Sequence, residues 1–259
     1  MPSIIAIPAF NDNYIWMIRR QANAAVVDPG DAAPVLDHLA REHLALTAIV
    51  TTHHHADHVG GNVGLLARHD VPVFAPAHET IPGATRSLAE GDRIDVSGVG
   101  VTLDVLDVPG HTAGHIAYVG DIDGPVLFCG DTLFAAGCGR LFEGTAEQMW
   151  TSLGKFACLD PATRVYCAHE YTLANLRFAA AVEPANEAIA TRVRTETPKR
   201  ARQQPTLPST IALELATNPF LRAREPAVRA AAEAHTGMTL ARPVEVFAAL
   251  REWKNRFRA

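Results

Sequence analysis

The chain has 259 residues, of which 48% are apolar and 20% charged, with a net charge of −5; this excludes wholesale disorder and allows one or two domains. No apolar run approaches the ~20 residues of a bilayer-spanning helix, and the opening Met1-Pro2-Ser3-Ile4-Ile5 lacks the basic stretch of a secretory signal. Four cysteines with no C-x-x-C pair point to a reducing cytoplasm and not to a disulfide scaffold.

Residues 4–8 and 14–19 are short β-type runs around the turn cluster Asn11-Asp12-Asn13, which predicts a hairpin. A third strand over 24–27 is stopped by Asp28-Pro29-Gly30. Asp31 is an N-cap for a helix whose Val35, Leu36 and Leu39 recur at helical spacing up to His43. A brief strand over 48–50 leads into a histidine cluster, a helix from about Val59 to Arg68, and a strand over 71–74. From Asp92 to Phe128 the pattern is β, with strands over 99–108, 116–119 and 126–129. A helix over 145–156 and a buried strand over 165–168 follow.

After Glu170 the texture changes to Ala-, Arg- and Glu-rich segments over 172–182, 185–202, 225–235 and 243–257, broken by Pro184, Pro198, Pro205, Pro208 and Pro219. No strand is predicted there. Residues 1–172 carry a charge balance of −11 and eleven of the twelve histidines, whereas residues 173–259 carry +6 and only His235. The expectation is an α/β catalytic domain over 1–172 and an all-helical substrate-binding domain over 173–259. A balance of +6 without a run of like charges does not predict a nucleic-acid partner.

Thr52-His53-His54-His55-Ala56-Asp57-His58 is the most informative segment. Alternation along a strand end directs His53 and His55 to one side and His54 away. Asp57 and His58, past the turn, reach a neighbouring position. Three later β runs end in turns carrying one further donor each: His111 in Pro109-Gly110-His111-Thr112, Asp131 in Cys129-Gly130-Asp131-Thr132, and His169 in Cys167-Ala168-His169-Glu170. Donors on loops held by a rigid sheet suit a metal site. The count is enough for two divalent ions: His53, His55 and His111 for one, Asp57, His58 and His169 for the other, and Asp131 bridging them. His38, His43, His69, His78 and His235 read as ordinary surface or core histidines, His54 as a surface or supporting one, and His115 as the start of a strand.

With those residues in view, the segment resembles the T-H-x-H-x-D-H signature of the metallo-β-lactamase superfamily, and the whole chain resembles its glyoxalase II (hydroxyacylglutathione hydrolase) family. The resemblance runs through Asn11-Asp12-Asn13-Tyr14, Val27-Asp28-Pro29-Gly30, Gly130-Asp131-Thr132-Leu133-Phe134 and Gly137-Cys138-Gly139-Arg140-Leu141-Phe142-Glu143-Gly144. It continues in His169-Glu170-Tyr171-Thr172 and Arg251-Glu252-Trp253-Lys254. It implies an αββα sandwich with a C-terminal helical domain and a binuclear centre on the seven residues named. It also implies a monomer cleaving a glutathione thioester, S-D-lactoylglutathione, with zinc, iron or manganese bound, and no membrane or nucleic-acid partner. Glutathione contacts carry over to Arg140, Phe142, Tyr171, Asn175, Arg251 and Lys254. Tyrosine is common in the family where Phe142 stands, and lysine where Arg140 stands.

In this reading Asp57 orients the attacking water and Asp131 holds the metals. A thiolate, with a pKa near ~8.5 in water, leaves without a dedicated acid. The competing readings are a persulfide dioxygenase-like enzyme, which shares the signature and the Gly-Cys-Gly-Arg turn but would lack the long helical tail, another superfamily hydrolase such as a lactamase or nuclease, and a silent metal-bound binding protein. Cys138, two residues before Arg140, is an alternative nucleophile. A serine hydrolase lacks its G-x-S-x-G elbow in this sequence.

Overall fold

The computed structural model describes residues 1–258. Strands β1 (Ser3–Ala9) and β2 (Asn13–Arg20) form the expected hairpin, closing with Ala9 opposite Asn13. Next come β3 (Asn23–Val27), helix α1 (Ala32–Glu42) and β4 (Ala45–Val50). β3 lies antiparallel to β2 and parallel to β4. Helix α1 starts where predicted because the Asp31 carboxylate accepts the Ala33 N–H at 2.9 Å. It stops where His43 turns left-handed at φ 53°.

The helix expected over 59–68 is instead two separate turns, α2 (Ala56–Val59) and α3 (Asn62–Leu66). The Gly61 N–H donates to the Pro29 carbonyl at 2.8 Å and not to its own preceding turn, which ends the ladder. Strands β5 (Val73–Pro76) and β6 (Arg86–Leu88) complete a six-stranded sheet in chain order. The Arg-Ser-Leu of β6 has no β pattern of its own; parallel pairing with β5 makes it a strand.

The second sheet begins with the antiparallel run β7 (Arg93–Val96), β8 (Val101–Asp107), β9 (Ile116–Asp121) and β10 (Pro125–Gly130). The small hairpin β11 (Leu133–Phe134) and β12 (Gly137–Cys138) then precedes α4 (Ala146–Ala157). Thr145 and Gln148 cap α4 reciprocally, side chain to backbone in both directions. Strand β13 (Arg164–Cys167) lies parallel to β10.

The C-terminal part consists of α5 (Thr172–Val182), α6 (Glu187–Ala201), the two-residue strand β14 (Ser209–Thr210), α7 (Ile211–Thr217), α8 (Pro226–Thr236) and α9 (Pro243–Arg256). Two details differ from the sequence reading. Pro198 lies inside α6; near a helix's last turn its missing N–H removes a single ladder bond, which the remaining turns outweigh. β14 adds an edge to the second sheet through pairing with Arg164 and Val165.

The two sheets pack face to face. Trp16, Ile18, Val27 and Val50 of the first meet Leu103, Val105, Tyr118 and Phe128 of the second in one buried cluster. On the outer face of the first sheet, Ile15, Met17, Val26 and Ile49 pack against Val35 and Leu39 of α1 and Leu65 of α3. Strands β2, β3 and β10 are therefore covered on both faces, which is why they read as nearly continuous apolar runs. This is the αββα layering with helices appended. The loops carrying the predicted donors all follow strand ends at one edge, after β4, β8, β10 and β13. The two sheets are tied there by the Ile116 N–H to the Thr52 carbonyl at 3.0 Å and the Tyr118 hydroxyl to the Thr51 carbonyl at 2.8 Å.

Candidate metal centre and its pocket

The structure brings six of the seven predicted donors into two adjoining groups: His53, His55 and His111 converge in one, and Asp57, His58 and His169 in the other. The His53-His54-His55 segment lies beyond the end of β4, and the expected alternation holds for its side chains. His54 points away to Glu79 and Glu143, at 2.9 and 3.2 Å. Asp57 and His58 share the single turn of α2. Asp131 stands between the groups. Its Oδ1 lies 3.3 Å from His58 Nε2 and 3.4 Å from His169 Nε2, and its Oδ2 lies 3.4 Å from His111 Nε2.

Partners at the far side of each ring decide which nitrogen carries hydrogen. The Thr52 hydroxyl donates to Asp28 Oδ2 at 2.7 Å, so it accepts from His53 Nδ1 at 3.0 Å. His111 Nδ1 donates to the Arg140 carbonyl at 2.9 Å, His58 Nδ1 to Asp28 Oδ2 at 3.1 Å, and His169 Nδ1 to Asp12 Oδ1 at 2.8 Å. Each Nε2 thus turns a lone pair inward. His53 Nε2 and His111 Nε2 both lie within 3.1 Å of His55 Nδ1, a crowd of nitrogens that one proton cannot satisfy. His58 Nε2 and Asp131 Oδ1 are buried with no hydrogen-bond partner, an arrangement that costs about 1–3 kcal/mol per group unless a cation takes both. The donor set fits divalent metal ions, which this fold and its His/Asp clusters imply.

The charge distribution points the same way. Burial depresses the pKa of His53 well below its ordinary value, with the neighbouring His58 adding to the effect. Burial would also lower His169, but the facing carboxylates of Asp131 and Asp57 outweigh it and raise the group to about 10. His58 is likewise raised despite its burial, by the charge of Asp131. Hydrogen bonding to His169 holds the Asp57 carboxyl well below the usual carboxylate range. Anionic carboxylates facing imidazoles gather positive charge at this point, as protons where no metal supplies it.

Several contributing residues had no role in the sequence reading. Asp28 is buried with φ 51°, a conformation aspartate tolerates, and it serves both Thr52 and His58. Asp12 and Asn13, in the hairpin turn, hold His169 and Asp57; the Asn13 amide donates to Asp57 Oδ2 at 3.1 Å. His115 is fully buried, stacks on His53 with centroids 4.5 Å apart, and accepts the Asp131 N–H at 3.1 Å. Only the turn motifs Asn11-Asp12-Asn13 and Asp28-Pro29-Gly30 marked any of them in the sequence.

A cavity of about 450 Å³ opens beside the centre. His111 and Asp131 form its floor, and all six predicted substrate residues line it: Arg140, Phe142, Tyr171, Asn175, Arg251 and Lys254. Their states differ. Arg140 and Phe142 are exposed at the rim. Tyr171 lies flat on His169, with centroids 4.7 Å apart and planes within 6°. Lys254 Nζ donates to the Ala174 carbonyl at 2.9 Å. Asn175 is buried and spends its amide on the Ala135 carbonyl at 3.0 Å. Arg251 is buried as well, donating to the Cys138 carbonyl at 2.7 Å, so it belongs to no solvated basic face. Burial pushes the Cys138 thiol up, and the nearby Arg251 only partly offsets this, which disfavours a thiolate nucleophile.

Residues 10–169 match the family model of the metallo-beta-lactamase superfamily, and residues 170–257 match that of the hydroxyacylglutathione hydrolase C-terminus. The chain is 59% identical to the hydroxyacylglutathione hydrolase of Cupriavidus taiwanensis over all of both chains. It is 60% identical to that of Alkalilimnicola ehrlichii over 98% of this chain and 99% of the relative. Among solved structures it resembles ETHE1 from Myxococcus xanthus in fold, with TM-score 0.65 at 24% identity over 98% of each chain. It also resembles TTHA1623 in a di-iron-bound form, with TM-score 0.59 at 25% identity over 85% of this chain and all of that one.

Proposed function

The chain belongs to the hydroxyacylglutathione hydrolase family of the metallo-β-lactamase superfamily, and from that premise we propose that it hydrolyses S-D-lactoylglutathione to D-lactate and glutathione, the second step of methylglyoxal detoxification. The observation that carries the reading is the continuity of the paired donor centre with a cavity ringed by Arg140, Arg251 and Lys254. A glutathione thioester has two carboxylates to bind and a thioester carbonyl to present, and the cavity offers cations and a floor of candidate metal donors in that order.

His53, His55 and His111 would hold one divalent ion, Asp57, His58 and His169 the other, and Asp131 both, with zinc the first candidate and iron or manganese the others. When bound, two such ions supply a Lewis acid for the carbonyl oxygen and acidify a water from a pKa of 15.7 towards ~7. The remaining work falls to the chain. Asn13 anchors Asp57 at Oδ2, the oxygen that faces His58 and His169, and the same carboxylate would orient the attacking water. Arg140 and the two uncommitted N–H groups of Lys254 take the carboxylates of the thiol carrier. Asn175 Oδ1 accepts from a peptide N–H of the carrier, and Tyr171 closes the cavity over His169. Water oxygen bonds to the carbonyl carbon as the C=O pair moves onto oxygen, the C–S bond breaks as that pair returns, and the two protons of the water pass to solvent, leaving lactate as its carboxylate. The thiolate departs and takes a proton from solvent, so no side chain has to serve as acid.

In this reading the chemistry falls to residues 1–172, and recognition of the carrier is shared between Arg140, Phe142 and Tyr171 of that part and Asn175, Arg251 and Lys254 of residues 173–259. We read the enzyme as a cytoplasmic monomer. Its four cysteines are free, and among the described residues no helix is long and apolar enough to cross a membrane. The decisive experiment follows thioester absorbance and dissolved oxygen together in purified, metal-loaded protein. Loss of thioester without oxygen uptake is the expected result. Oxygen uptake on a glutathione persulfide, or no turnover of the thioester, would overturn the reading in favour of the dioxygenase-like or silent alternatives.

A further inference from the structure

The hairpin of β11 and β12 links Asp131 to Arg140 and is a two-stranded sheet of its own, paired with neither six-stranded sheet. Side chains of the C-terminal part take up its backbone. The Asn218 amide donates to the Phe134 carbonyl at 3.2 Å and the Gly137 carbonyl at 2.9 Å. Asn175 takes the Ala135 carbonyl, and Arg251 the Cys138 carbonyl. The Ala136 N–H donates to Glu214 Oε2 at 2.8 Å. Ala136 has φ 55°, a left-handed conformation that alanine adopts only under constraint. Glu214 and Asn218 are fully buried, and the Asn218 amide also donates to Glu214 Oε2 at 2.9 Å. The other oxygen of Glu214 is tied to Arg192 at 2.8 Å. A carboxylate with every oxygen committed and no solvent contact is a rigid anchor.

Both ends of this hairpin reach the donors. Gly139 packs so closely on the Asp131 carbonyl that a Cβ there would overlap it, and the next carbonyl, of Arg140, accepts from His111 Nδ1. A hairpin displaced by a fraction of an ångström would therefore shift the bridging carboxylate and one imidazole together.

We infer that Glu214 and Asn218 are positioning residues for the metal centre, acting through the Leu133–Cys138 hairpin that they mould. The helical part then has a second task besides recognising substrate: it sets the geometry of Asp131 and His111. This rests on the proposed use of those two residues as metal donors, but not on the identity of the thioester.

The test compares cobalt(II) uptake by metal-stripped full-length protein, read by visible absorption and by competition with a chelator. Asn218→Ala and the near-isosteric Glu214→Gln are set against Glu183→Gln. Glu183 bonds Arg222 at 2.7 Å within the helical part and touches no hairpin atom in the contacts above. Direct outer contacts to metal ligands are worth about 10–100-fold in affinity; Glu214 and Asn218 act one step further out, so cobalt affinity should fall by about 10-fold in the first two variants, with an altered absorption band. Glu183→Gln should lower the melting temperature while leaving affinity and band at wild-type values. If one of the first two does not fold, the other carries the comparison. Should both, or the one that folds, lose thermal stability while keeping wild-type cobalt affinity and spectrum, the inference is overturned. Wild-type protein that binds cobalt yet leaves S-lactoylglutathione intact would remove the functional reading and leave this comparison standing.

Discussion

Asp28 Oδ2 accepts from the Thr52 hydroxyl at 2.7 Å and from His58 Nδ1 at 3.1 Å, so one oxygen orients a ring in each donor group, directly for His58 and through Thr52 for His53. Asp28→Asn would place an amide N–H against two donors. It should weaken both metal equivalents by about 10–100-fold, read by chelator competition. Thr52→Val should weaken the His53 group alone. A variant Asp28→Asn with wild-type affinity at both equivalents would disconnect Asp28 from the centre.

His58→Ala removes the imidazole that faces Asp131 Oδ1 in the second group. Elemental analysis of protein reconstituted with excess metal and then desalted should fall from two equivalents to about one. Two full equivalents in this variant would contradict the assignment of His58.

Lys254 is the cavity cation whose pKa is pushed down. Burial, with Arg251 and Arg177 adding repulsion, lowers its pKa from 10.5 to about 8. Above pH 8 the folded protein sheds the charge that would meet a substrate carboxylate, so KM should rise from pH 8 to pH 9.5, and Lys254→Met should show a higher, flat KM. Stability moves the opposite way. Between about 8 and 10.5 the unfolded chain binds this proton and the folded one does not, so the contribution of Lys254 to stability increases with pH across that window. A KM profile of the wild type that matches Lys254→Met would exclude this contact.

Arg251 is both wall and brace, since it lines the cavity and holds the Cys138 carbonyl. Arg251→Ala should raise KM more than it lowers kcat, because the contact is remote from the carbonyl. It should also lower Tm, because a buried carbonyl loses its donor at about 1–3 kcal/mol. Arg251→Lys should recover little, since a single ammonium cannot reproduce the guanidinium fork. Steady-state kinetics with thermal melts separate the two effects, and an unchanged KM would leave only the brace.

Cys138→Ser tests the remaining nucleophile. The thiol is buried beneath the Arg251 guanidinium and its pKa is raised, so kcat on the thioester should stay within a few-fold of wild type. A loss of about 10³-fold or more, the order expected when a nucleophile is removed, would restore the thiolate scheme.

The donors were legible because each sits on a short segment with its own signal. His53 to His58 fall within six residues, and His111, Asp131 and His169 each follow a β run into a turn. The supporting groups gave no such signal. Asp28 and His58 are 30 residues apart, Asp12 and His169 157, and Ala136 and Glu214 78. The two-residue strand Ser209–Thr210 and the Arg86–Leu88 strand were likewise hidden, since neighbours and not composition make them strands.

From its residues alone this chain determined its apolar periodicities, its imidazole and carboxylate donors and the order in which they are delivered, because those depend on spacing within a turn or a strand. Only the tertiary structure decided which nitrogen of each ring faces inward, and that Asn175 and Arg251 brace a hairpin as well as line a cavity. A hydrogen bond is a relation between two atoms, and in a folded chain the second is set by packing, not by nearness along the backbone.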